Sequence, residues 1–101
     1  MSVDVDVKID EKIKVKNKEP SKYKVVILND DKTPMEFVVS ILIKIFKHTE
    51  ESAVQITMKI HEEGSGVVGV YSYEIAEQKA VETTTISRDN GFPLRVRVEE
   101  E

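Results

Sequence analysis

Cysteine is absent from the 101-residue chain, which excludes disulfides and thiolate metal sites and fits a reducing compartment. No apolar run comes near the ~20 residues that a membrane-spanning helix needs. The start, MSVDVDVKID, lacks the basic region and apolar stretch of a secretion signal, so a cytosolic or organellar location is expected. Positive charge is also short: 15 Lys and Arg against 19 Asp and Glu leave −4 at pH 7. That balance argues against nucleic acid or an anionic membrane as partner and suits a cationic ligand. Chemistry-bearing groups are few. The serines and threonines fall at caps and on helix faces, with no nucleophile-elbow glycine pattern. His48 and His61 have no metalloprotease or zinc-finger spacing. Asp30 and Asp31 are adjacent, so they cannot flank a substrate as a glycosidase pair does. No enzyme, metal or cofactor is expected.

What the chain does have is 40% apolar residues, enough for the one thin core that a single domain of this length can build. Residues 1–19 stand apart. Val3, Val5, Val7 and Ile9 alternate with Asp4, Asp6, Lys8 and Asp10, a period of two, but the apolar groups are small and a lysine-rich run follows. A flexible extension is expected there, with an extra edge strand as the alternative, and residues 20–101 form the domain. YKVVILN is short, β-branched and ended by an Asn-Asp turn, hence a strand. Thr33-Pro34-Met35-Glu36 reads as a helix start with Thr33 as cap, Pro34 first and Glu36 closing a capping box. Phe37, Val38, Ile41, Leu42, Ile45 and Phe46 follow at helical spacing, with Lys47 and His48 in the last turn. A second helix begins near Thr49, turns Ala53, Ile56, Thr57, Ile60 and His61 to one side, and stops at Gly64. GVVGVYS is a strand whose internal glycine marks a close backbone approach. Ser72 caps a third helix with Ile75, Ala76, Ala80, Thr83 and Ile86 or Ser87 inward, and PLRVRVE alternates as a final strand. The order β-α-α-β-α-β predicts an α/β (α+β) domain: a three-stranded antiparallel sheet with three helices packed on one face.

Asn29, Asp30 and Asp31 sit between two buried segments. A strand-to-helix turn favours such residues, yet one short turn does not need three side-chain acceptors followed by Thr33. At least one should point elsewhere. His61 and Met35 have ordinary readings as well, a last-turn cation and a core methionine.

The segment SKYKVVILNDDKTPMEFVVSIL, with MKIH, GVVGVYSYEIAEQK and FPLRV downstream, resembles the ClpS adaptors of bacteria and organelles. The resemblance implies an adaptor of the N-degron pathway. Such a protein binds chains that begin with Leu, Phe, Tyr or Trp and hands them to the N-terminal domain of a ClpA- or ClpC-type AAA+ unfoldase. It further implies that Asn29, Asp30 and His61 hold the free α-amino group. Thr33, Met35, Val38, Thr57, Ile60 and Leu94 would wall the side-chain pocket, with Met35 at its mouth. Glu74 and Lys79 would face the unfoldase, and residues 1–19 would serve as a lead for its pore. Many members carry methionine where this chain has Thr57, so that wall is smaller and more polar here. The alternative is a small interaction scaffold of ribosomal-stalk-like topology with no such pocket. Nothing suggests an obligate dimer, and a monomer is expected.

An ammonium has three donors and no acceptor, so its site must supply lone pairs, and imidazole supplies one only when neutral.

Overall fold

Tyr23–Leu28 forms β1, followed by α1 (Met35–Lys44), α2 (Glu50–Glu63), β2 (Ser65–Tyr71), α3 (Tyr73–Asp89) and β3 (Arg95–Glu100). The computed structural model describes residues 21–101; the extension expected over residues 1–19 lies outside them. β1 runs between the other two strands, antiparallel to both, in the order β2-β1-β3. The expected element order and sheet are present.

The sequence of each strand reflects its place. Val25, Val26 and Ile27 are all buried, as a central strand requires, whereas Arg95, Arg97 and Glu99 alternate with half-buried Val96 and Val98 on β3. Val25 and Ile27 point into the core with Val68, against Val38, Ile41, Leu42 and Ile45 of the α1 region, Ala53 and Ile60 of α2, and Ala76 of α3. Between Val25 and Val26 the register against β2 slips by one residue, leaving Val68 as the extra residue of a β-bulge. The glycine expected to mark a close approach is Gly69: a Cβ there would overlap the phenol of Tyr71.

Helix ends are where local expectation and structure part. Thr33 does not cap α1. Pro34 takes the N-cap position, where no side chain caps the helix, and its carbonyl accepts from Phe37 and Val38 N–H at 3.1 and 3.3 Å. The Thr33 hydroxyl instead donates to the Asp30 carboxylate, and that charge-assisted bond is stronger than the neutral one it would make by accepting from a helix N–H. α1 also stops at Lys44, short of Lys47 and His48. Lys47 adopts the left-handed conformation at φ 63° and turns the chain, so that His48 Nε2 donates to Val68 O at 2.7 Å. His48 Nδ1 then accepts from Ser52 Oγ at 3.3 Å, which makes this histidine a satisfied structural residue. α2 begins next to Thr49 as expected, and the Thr49 hydroxyl caps it, accepting from Ser52 N–H. Gly64, at φ 93°, ends α2 in the left-handed region that glycine reaches without strain. Ser72 holds the N-cap position of α3, yet its hydroxyl makes no capping bond. Ile75, expected inward, is 42% exposed, because the buried stripe of α3 runs through Ala76, Thr83 and Ser87.

Ser87 Oγ donates to Thr83 O at 2.7 Å, whereas the Thr83 hydroxyl, fully buried, has no partner. An unsatisfied buried hydroxyl costs about 1–3 kcal/mol. Thr83→Val should therefore raise the melting temperature by several degrees, at about 4–8 °C per kcal/mol for a domain of this size; a lower melting temperature contradicts that reading.

Candidate functional site

The loop after β1 is organised by one carboxylate. Asp30 Oδ1 accepts from the backbone N–H of Lys32 at 2.8 Å and of Thr33 at 2.7 Å. Its Oδ2 accepts from Thr33 Oγ1 at 2.8 Å. The turn reading is thus right for Asp30 alone. Asn29 is tied by its backbone, whose N–H donates to Gly64 O at 2.9 Å, and the loop is thereby pinned to the end of α2. The Asn29 amide and the Asp31 carboxylate have no hydrogen-bond partner among the described residues, and both residues are exposed. A carboxylate offers about four lone-pair positions; three of Asp30's are taken, and one on Oδ2 is left.

Burial alone would raise the pKa of Asp30, but the bonds from Lys32, from the Thr33 N–H and from the Thr33 hydroxyl outweigh it, helped by the charge of Arg95. The net shift is below the ordinary value of 3.8, so Asp30 is an anion at neutral pH.

Beside this anion lies a cavity lined by Leu28, Asn29, Asp30, Thr33, Met35, Val38, Thr57, Ile60, His61 and Leu94. All nine residues that the resemblance put at the amine site and the side-chain pocket line it. Three elements and two loops converge here. β1 supplies Leu28 at its end, α1 opens with Met35 and turns Val38 inward, and Leu94 leads into β3. α2 presents Thr57, Ile60 and His61 over one turn, since residues three and four apart share a helix face. The walls are dry: Val38, Thr57, Ile60 and Leu94 are buried, while Met35 at the rim is 37% exposed. His61 is exposed in the last turn of α2, and its ring has no partner among the described residues. The space inside admits the centre of a water molecule over about 10 Å³, close to the minimum that holds one water. A larger guest enters only if the rim moves, and an unbranched thioether moves at little cost.

Leu28 and Arg95 were not anticipated. Leu28 closes the apolar run immediately before Asn29, and being the strand's last residue is the signal that would have found it. Arg95 follows Leu94, but its action on Asp30 depends on register, because Leu28 and Arg95 are paired across β1 and β3.

Glu74 and Lys79 stand apart from the cavity on α3. Glu74 is exposed in the first turn. Lys79 is half-buried, donating from Nζ to Ile45 O at 2.8 Å with its charge 5.4 Å from the Tyr71 ring. No described helix is long and apolar enough to cross a membrane, and no group of His, Asp and Glu among the described residues could hold a metal.

The site thus sets an ionised acceptor beside a small cavity with buried walls, on an open antiparallel sheet covered by three helices. Residues 18–97 match the family of the ATP-dependent Clp protease adaptor protein ClpS. ClpS proteins of Burkholderia mallei and Burkholderia pseudomallei are 48% identical over 95 residues, 94% of this chain and 91% of theirs. That of Burkholderia thailandensis is 53% identical over 85 residues, 84% of this chain and 82% of its own. The solved structure of Agrobacterium tumefaciens ClpS2 bound to L-phenylalaninamide superposes with a TM-score of 0.80 at 43% identity, covering 82% of this chain and all of that one. The chain belongs to the ClpS family, the adaptors of the ATP-dependent Clp protease.

A depressed carboxylate stabilises the fold above its unfolded pKa and ceases to as pH falls through the lower folded value. Asp30→Ala should cost about 1.5–3 kcal/mol at neutral pH, the range for bonds to a charged group. The gap in melting temperature should narrow as the pH drops below the ordinary carboxylate range. A gap that persists unchanged at low pH contradicts an ionised Asp30 as the turn's organiser.

Proposed function

We propose that this chain is an N-degron adaptor that captures proteins by a free amino terminus and a bulky first side chain, Leu, Phe, Tyr or Trp. The ammonium sits at the rim, where Asp30 gives its remaining Oδ2 lone pair, Asn29 its amide oxygen and His61 a ring nitrogen. The first side chain enters between Thr33, Met35, Val38, Thr57, Ile60 and Leu94, with Met35 swinging aside. The observation that carries this reading is the convergence of an ionised, partly committed carboxylate and an apolar cavity on one spot. The ligand of ClpS2 fits the same chemistry, since L-phenylalaninamide has a free α-amino group, a benzyl side chain and an amide where a second residue would begin. A plain interaction scaffold has no use for such a pairing.

Binding breaks no covalent bond. Burying a Leu or Phe side chain contributes about 1.5–3 kcal/mol, and the charge-assisted bonds of the ammonium supply selectivity for a free terminus. Delivery to a ClpA- or ClpC-type unfoldase uses a separate surface around Glu74 on α3. Lys79 serves it partly through its bond to Ile45 O, which fixes the end of α1 against α3. Residues 1–19 are the segment that the unfoldase grasps.

Acetylation removes the charge and leaves Asp30 facing an unpaired site, a loss of about 2–5 kcal/mol. Anisotropy with a labelled Phe-starting peptide and its acetylated twin should show at least about a 30-fold difference, since every 1.4 kcal/mol is tenfold. Equal binding contradicts amino-terminus recognition.

A further inference from the structure

Four of the residues that line the cavity, Val38, Thr57, Ile60 and Leu94, are buried, and one of the four is polar. Thr57 is 3% exposed, and its hydroxyl is a buried oxygen with no hydrogen-bond partner. A helical threonine commonly satisfies itself on the carbonyl four residues back; Thr57 does not. The other three buried residues of the wall, Val38, Ile60 and Leu94, bring only hydrocarbon. The hydroxyl has almost no accessible surface while the cavity is closed, and a guest that opens the cavity finds in it an unspent donor and acceptor.

Its depth is set by the helix. His61, at the rim, lies four residues after Thr57 on the same face of α2, and four residues rise about 6 Å along a helix axis. That is close to the reach of a tyrosine's phenol oxygen from its own Cα. A guest whose ammonium is held at His61 and whose side chain runs inward along α2 brings a para-hydroxyl to the level of Thr57.

We propose that Thr57 makes this adaptor select tyrosine over phenylalanine as the first residue of its substrates. The inference rests on the reading of the cavity as an amino-terminus receptor. With phenylalanine bound, Thr57 stays buried and unpaired; with tyrosine, two hydroxyls that would each be costly alone satisfy one another. A site that hydrogen-bonds a guest's hydroxyl discriminates against the analogue lacking it, because its own polar group is left unpaired. A water occupying the empty cavity is displaced by either ring and cancels from the comparison.

The test measures dissociation constants for two peptides that differ only in Tyr or Phe at the first position, against the full chain and the variants Thr57→Val and Thr57→Ser. The native chain should bind the Tyr peptide about three- to tenfold more tightly, the range of one net hydrogen bond. Thr57→Val should abolish or invert that ratio while keeping a cooperative melt, and Thr57→Ser, which retains the hydroxyl, should preserve it. Equal affinities in the native chain overturn the proposal, as does a Tyr preference that survives in Thr57→Val. If neither peptide binds the native chain, the receptor reading itself fails, and the two failures are thus distinct.

Discussion

The Asp30 carboxylate is the interaction on which the rest depends. By accepting from two backbone N–H groups and one hydroxyl within three residues, it folds the chain back at the end of β1. It also leaves Thr33 and Met35 facing the cavity. The same bonds hold it ionised despite its partial burial. Structure and chemistry share one group here: the turn that builds the pocket also fixes the charge at its rim. Carboxylates elsewhere in this acidic chain cannot replace it. Asp31, the next residue, is exposed and organises nothing among the described residues.

Around that group the fold works as a clamp of three converging ends. The backbone bond from Asn29 to Gly64 ties the loop to α2, Gly64's left-handed turn ends α2 where His61 projects, and antiparallel pairing brings Arg95 opposite Leu28. The two histidines illustrate how context assigns roles to one residue type. His48 is spent on Val68 O and Ser52, while His61 keeps its ring uncommitted among the described residues. Lys79 shows the reverse: a residue matched to docking by resemblance is also a bolt between α3 and the end of α1.

Most of the architecture was legible in the sequence because apolar periodicity is dictated by burial, and burial varies little with detail. The continuous run of β1, the alternation of β3 and the stripe of α1 each state which faces are covered. Helix ends were less legible, since several groups compete for the same donors there. Thr33 was a sound cap by propensity, and the nearby anion of Asp30 took its hydroxyl instead. The left-handed Lys47 has no local signal, because the turn it makes is rewarded only by the bond of His48 to a distant strand. At the site, the excess of acceptors in Asn29-Asp30-Asp31 was visible as an anomaly, but joining them to His61, Thr57 and Leu94 required either the resemblance or the coordinates. The near-closure of the cavity was legible in neither residue types nor spacing. It depends on how Met35 packs.

The central claim is that a protonated chain start is held at Asp30 while the adjoining side chain fills the cavity behind Met35. A crystal structure of this chain with a short Phe- or Tyr-starting peptide tests it most directly. The account predicts the peptide's α-nitrogen within hydrogen-bond distance of Asp30 Oδ2, with Asn29 and His61 completing its coordination, the Met35 side chain displaced and the ring among Val38, Thr57, Ile60 and Leu94. A peptide seated elsewhere, or one whose terminus faces water with the cavity still shut, would contradict it.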